Sequence, residues 1–122
     1  MAISAEYNAY ILEMLEPLEG ASIRRMFGGA GVFCHGVMIA LLANERLYFK
    51  VDDANRPDFE AENCEQFTYM TKGGKQALMS YFEVPDRLYD EPDEIVEWAR
   101  NALNAALRAQ AVKPRSKKSK ST

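Results

Sequence analysis

Gly31-Val32-Phe33-Cys34-His35-Gly36-Val37-Met38-Ile39-Ala40-Leu41-Leu42-Ala43-Asn44-Glu45-Arg46-Leu47-Tyr48-Phe49-Lys50-Val51 contains three β-forming runs separated by two short turn signals. The runs are Gly31 to Cys34, Val37 to Leu42 and Arg46 to Val51. His35-Gly36 and Asn44-Glu45 have the spacing of two-residue hairpin turns. Val37 to Leu42 is apolar at every position, as a central strand covered on both faces should be. Arg46 to Val51 alternates instead, with Leu47, Phe49 and Val51 on one face and Arg46, Tyr48 and Lys50 on the other. One sheet face is thereby aromatic and basic, and Tyr69, Lys72, Tyr81 and Arg25 are candidates to join it. A preceding run, Ile23 to Phe27, connects through Gly28-Gly29 and extends the meander by one strand.

Outward from this meander the period changes. Before it, Tyr7, Ile11, Met14, Leu15 and Leu18 recur at three- and four-residue steps, which predicts a helix that Ser4 caps and Pro17 and Gly20 end. After it, Asp52 or Asp53 starts a short helix over Ala54 to Ala61, with Pro57 in its early part. Two strands follow, Gln66 to Thr71 and Ala77 to Val84, joined by Lys72-Gly73-Gly74-Lys75 and closed by Pro85. Asp90-Glu91-Pro92-Asp93-Glu94 has the cap, early proline and acidic first turn of a helix start. That helix runs to about Gln110 on a stripe of Val96, Ala99, Leu103, Ala106 and Leu107, and Pro114 stops it. The prediction is an α+β fold of two layers: an antiparallel sheet of about five to six strands with helices on one face. Residues 1–112 form one domain and residues 113–122 a basic, disordered tail.

Composition sets the class of protein. The 122 residues are 48% hydrophobic and 27% charged, an ordinary globular balance for one domain. The apolar run Val37 to Ala43 falls far short of the roughly 20 residues that span a bilayer. Met1 to Glu6 lacks the pattern of a secretory signal, so the cytoplasm is the expected location. Charge is unevenly placed: all 18 acidic residues precede Val112, whereas five of the 15 basic residues, Lys113, Arg115, Lys117, Lys118 and Lys120, lie in the last ten positions. Such a tail attracts nucleic acid or an acidic partner, and it equally suits a solvated chain end.

Residues able to carry chemistry are few. Cys34 and Cys64 are the two cysteines and His35 the one histidine. Two thiols so far apart predict neither a disulfide framework nor a zinc ribbon, and both read as small core residues. Cys34 and His35 are adjacent, and on an extended segment their side chains point to opposite faces, which prevents a nucleophilic dyad. Gly28-Gly29-Ala30-Gly31 follows Arg24 and Arg25, yet continues into β-structure instead of a helix N-terminus, so it reads as a glycine turn and not as a phosphate loop. Glu60 with Glu62, and Asp93 with Glu94, suit solvation and helix starts. Neither a cofactor nor a metal is expected, and an enzyme using Cys34 is the weakest of three functional classes.

Arg25-Met26-Phe27-Gly28-Gly29-Ala30-Gly31-Val32-Phe33 resembles the opening motif of the N-terminal domain family of TfoX-type competence regulators. The likeness continues in order through Gly36 with Ile39-Ala40-Leu41, then Leu47-Tyr48-Phe49-Lys50-Val51-Asp52, Phe67-Thr68-Tyr69, Met79-Ser80-Tyr81-Phe82-Glu83-Val84-Pro85 and Trp98-Ala99-Arg100-Asn101-Ala102-Leu103. It covers about residues 10 to 108. The resemblance implies a regulator of DNA-uptake competence and transcription without catalytic activity, on a two-layer fold similar to secretion chaperones. The resemblance implies a second domain in full-length regulators, and a short basic tail is the expected counterpart here. Gln66 also replaces a frequent proline. Arg25, Phe27, Gly28, Gly29, Lys50 and Tyr69 match the family motif and, with Arg24, are the candidate binding residues; glycine turns and buried aromatics explain most of them structurally.

The residues and the resemblance together predict a non-enzymatic module that binds a protein partner, with nucleic-acid binding through the tail as the alternative. The sheet face left uncovered by helices, with its tyrosines and apolar positions such as Met38 or Ala40, further predicts a homodimer formed through that face or an edge strand.

Overall fold

In a computed structural model, residues 5–26, 29–43 and 45–121 are described, with side chains outside the description at 5, 26, 69–71, 75–79 and 112–121. The predicted architecture is observed: an open antiparallel sheet of six strands in an α+β fold, with the helices on one face. Helix α1 (Ala5–Met14) passes through a 3-10 turn at Glu16–Leu18 into strand β1 (Ser22–Met26). Ile11, Leu15 and Leu18 are buried, while Tyr7 and Met14 pack at the core margin. The turn that closes this entry holds Glu19 and Gly20 at φ of 62° and 84°, the second being the conformation glycine adopts without cost.

Strands β2 (Gly29–Cys34), β3 (Val37–Ala43) and β4 (Arg46–Lys50) continue the meander. Register makes the facing explicit. Leu42 pairs with Leu47 and Ala40 with Phe49, all four buried under the helices. Ala40 therefore lies away from the uncovered face expected for it, because a register shift at Val32/Phe33 breaks the alternation between it and Met38. Gly31 pairs with Leu41 and Leu41 with Tyr48, which sets these three on the opposite face. The expected two-sided apolar strand is therefore correct, and its second face is only half covered.

Helix α2 (Arg56–Ala61) starts later than the expected Ala54. Asp52 is spent on a turn: its carboxylate accepts the Ala54 N–H at 3.0 Å, and Asn55 Oδ1 accepts the Asp52 N–H at 2.7 Å. The Asn55 amide also donates to the Lys50 carbonyl at 3.0 Å, which satisfies an otherwise apolar-buried polar side chain. Strands β5 (Gln66–Thr71) and β6 (Gly74–Glu83) form the last hairpin, with β6 already begun at Gly74 instead of the expected Ala77. The backbone pairs right up to the turn, so a ladder of hydrogen bonds overrides the weak strand propensity of Gly74-Lys75. β6 inserts beside β4, giving the order β1-β2-β3-β4-β6-β5.

After a 3-10 turn at Asp86–Asp90, helix α3 (Pro92–Ser121) lies across β3 and β4. Its backbone is helical past the expected end near Gln110 and runs through Pro114, the expected stop, as far as Ser121; four Lys and one Arg among residues 111–121 are good helix formers. Ile95, Val96, Trp98, Ala99, Ala102, Ala105 and Ala106 are buried along the helix, with Leu103 partly buried against the core, as expected for Val96, Ala99, Leu103 and Ala106 of the predicted stripe. Leu107, expected in that stripe, is instead 39% exposed. Residues 95, 98, 99, 102, 105 and 106 follow the 3.6 period closely, and 107 falls one position round the helix. Phe59 of α2 stacks edge-on to Trp98 of α3 at 4.7 Å and meets Phe82 of β6 at 5.8 Å, joining the two helices to the sheet.

Candidate functional site

The face of the sheet opposite the helices gathers the predicted aromatic and basic groups. Tyr48 pairs with Glu83, and Lys50 pairs with Tyr81. Lys50 Nζ lies 5.2 Å from the centre of the Tyr81 ring, within cation–π range. Tyr81 is 6% exposed although it lies on the open face, and its hydroxyl donates to the Met38 carbonyl at 3.4 Å. Burial pushes its phenol up to about 12, so it remains a neutral hydrogen-bond donor at physiological pH. Tyr48 meets the Phe67 ring edge-on at 5.0 Å. At the far side, the Arg24 guanidinium lies 4.4 Å above the Phe33 ring.

Between these aromatic groups, Met38 and Leu41 are half-buried. Arg46 forms an ion pair with Glu83 at one end of the face. The result is a shallow apolar surface edged by guanidinium and ammonium groups. It differs from the solvent side of an ordinary open sheet, which is polar.

The sequence candidates divide between roles. Arg24 reaches this face; Arg25, paired with buried Ala30, falls on the helix side at the sheet edge, where it is exposed. The side-chain period of two along β1 separates them. Gly29 has a packing reason to be glycine: a Cβ there would collide with the Leu42 carbonyl oxygen of the neighbouring strand. Phe27 and Gly28 lie outside the described residues, as do the side chains of Tyr69 and of Lys113, Arg115, Lys117, Lys118 and Lys120. Phe33, Leu41 and Phe67 were not among the candidates. Their signal was the register across four strands, which single-strand alternation does not contain.

Cys34 and His35 part as expected. Cys34 Sγ is buried and donates to the Glu19 carbonyl at 3.3 Å, and burial raises its pKa. His35 is exposed in a turn at φ 52°. A thiol in this setting is a poor nucleophile, because the thiolate is the reactive form. Cys64 is half-buried, with its pKa pushed up to about 11 by burial and then by nearby Glu62 and Glu83. Among the described residues, no group of three His, Cys, Asp or Glu side chains is placed to hold a metal ion. No helix among them is long and apolar enough to cross a membrane.

An open antiparallel sheet with one helix-covered face and one aromatic face defines a class of α+β domains that present a surface. The chain belongs to the TfoX N-terminal domain family, whose family model matches residues 13–106. It is also similar to DNA transformation protein TfoX1 of Aliivibrio fischeri (strain ATCC 700601 / ES114), with 30% identity over 80 residues. That match takes in 66% of this chain and 38% of the relative.

Proposed function

We propose that this chain is a non-enzymatic regulatory module of the competence and transcription co-regulator kind, acting in the cytoplasm by binding a protein through the open sheet face. The observation that carries the reading is the half-buried patch of Phe33, Met38, Leu41 and Tyr48, with Arg24 and Lys50 laid over aromatic rings. Aromatic, Met and Arg side chains are the types enriched in protein interfaces. Family membership and the transformation function in the relative's name support the regulatory role. A second copy of the chain is one occupant of the face, which gives a homodimer.

The test is affinity capture from lysate with the native chain beside Leu41→Lys, which puts a charge in the centre of the patch. A partner held by the native chain and lost by the variant supports the reading. Equal capture by both, or reproducible turnover in a broad substrate screen, overturns it. The uneven charge favours one further reading, nucleic-acid binding through Lys113 to Lys120, because all 18 acids precede Val112. Counterion release makes such binding steeply salt-dependent, so gel shifts at two salt concentrations with and without residues 113–122 decide it.

A further inference from the structure

At the end of the sheet where β3 turns into β4, a cleft of about 460 Å³ opens between α1, that turn and the 3-10 segment after β6. Three tyrosines, Tyr7, Tyr10 and Tyr89, line it. Their rings run in series, Tyr7 to Tyr10 at 6.4 Å and Tyr10 to Tyr89 at 6.4 Å, the latter pair stacked. Tyr10 is 42% exposed and turns an aromatic surface to the solvent. Burial raises the pKa of both Tyr7 and Tyr89 above the ordinary phenol value, so their rings are neutral.

Carboxylates line the cleft too. Among the described lining residues, Glu45, Glu83 and Asp86 stand with one cation, Arg46. Arg46 is paired with Glu83, and among the described residues neither Glu45 nor Asp86 has an ion-pair partner. The cleft thus combines aromatic π-faces with an excess of two carboxylates. That combination attracts an organic cation, through the ring quadrupole and Coulomb attraction together. It repels nucleic acid, and among the described residues no group of three His, Cys, Asp or Glu is placed to hold a metal ion.

We propose that this cleft is a recognition site for a lysine or arginine side chain carried on a basic segment of a partner protein. Charge complementarity fixes the occupant: the body of the chain has ten basic groups against 18 acidic ones, and this cleft is an acidic point that also offers aromatic contact. The site is separate from the patch centred on Leu41. It rests on the interaction-module reading only in assigning the cation to a protein.

Fluorescein-labelled hexalysine is the probe, measured by anisotropy at low salt against the native chain, with hexaglutamate for comparison. Tyr10→Ala is expected to weaken hexalysine about fivefold, the loss of roughly 1 kcal/mol of exposed cation–π contact. Glu45→Gln with Asp86→Asn is expected to weaken it about tenfold or more through lost charge attraction. Asp58→Asn with Glu97→Gln, in a second acidic groove beside Trp98, is expected to change it less than twofold. Equal losses from both acidic pairs, or no loss from Tyr10→Ala, overturn the proposal by showing diffuse attraction. Ring-proton shifts of Tyr10 in the native chain on hexalysine addition give a readout that needs no variant; unmoved resonances at saturating probe also overturn it. Hexalysine bound in the cleft while Leu41→Lys captures partners equally well would leave the cleft and remove the sheet-face reading, so the two fail separately.

Discussion

Gly29 faces the carbonyl of Leu42 so closely that no Cβ fits between them. An added Cβ would meet backbone, and the Leu42 carbonyl belongs to a sheet strand that cannot retreat cheaply. Gly29→Ala is therefore expected to destabilise the domain by about 1–3 kcal/mol, the usual range for overpacking. Urea unfolding measures it, and an unchanged midpoint would show that β2 and β3 can separate locally.

Glu45 shows the reverse case. It occupies the β3–β4 turn at φ 58°, a left-handed conformation that costs a residue with a Cβ about 1 kcal/mol or more. Glu45→Gly removes that strain and loosens the unfolded chain, so stability is expected to be unchanged or to rise by up to about 1 kcal/mol. Hexalysine binding to the same variant is expected to fall. Parallel loss of both would mean that Glu45 supports the turn itself.

The cysteines report burial. In the native state Cys64 is expected to react with a chromogenic disulfide reagent at pH 7.5 well below the rate of a free thiol, since its pKa is about 11. Cys34, buried and hydrogen-bonded to Glu19, is expected to react only on unfolding. Mass spectrometry after timed quenching separates the two. Rapid native labelling of Cys34 would reopen the case for a reactive thiol there.

Arg87 lies between Glu62 and Glu94 and holds both carboxyls below the usual carboxylate range, as Arg108 does for Asp52. Folded pKa values below the unfolded ones give stability that is present above about pH 4 and is lost as pH falls through the folded values. The melting temperature is expected to hold from pH 7 to about 5 and to decline below about 4. Arg87→Gln is expected to make the acid decline shallower, modestly because these groups are exposed. An unchanged acid limb in that variant would remove Arg87 from the linkage.

Leu41→Lys places an ammonium between Tyr48 and Gly31 on the open face. The fold should survive, because Leu41 is only half-buried and the new amine can reach water. Sedimentation equilibrium at micromolar concentration is expected to give a native mass that rises above 13.8 kDa with concentration and a variant mass that does not. A native mass fixed at 13.8 kDa would rule out the dimer.

Local pattern was enough to read the meander, the last hairpin and the three helices, because strand alternation, turn residues and helix starts act within a few positions of the chain. Alternation in Arg46 to Lys50 likewise exposed one aromatic and basic sheet face in advance. The tertiary structure decided what lies beside what. Arg24 instead of Arg25 reaches the Phe33 ring because register, a property of paired strands, sets the facing at the sheet edge. Asn55 reads as one polar residue in the first turn of the expected Ala54–Ala61 helix, whereas the fold places it before the helix with its amide on the Lys50 carbonyl. Tyr89 is separated from Tyr7 and Tyr10 by most of the domain in sequence and meets Tyr10 only because the segment after β6 returns to α1. A cleft is made by contacts between distant segments, and short-range periodicity carries no record of them.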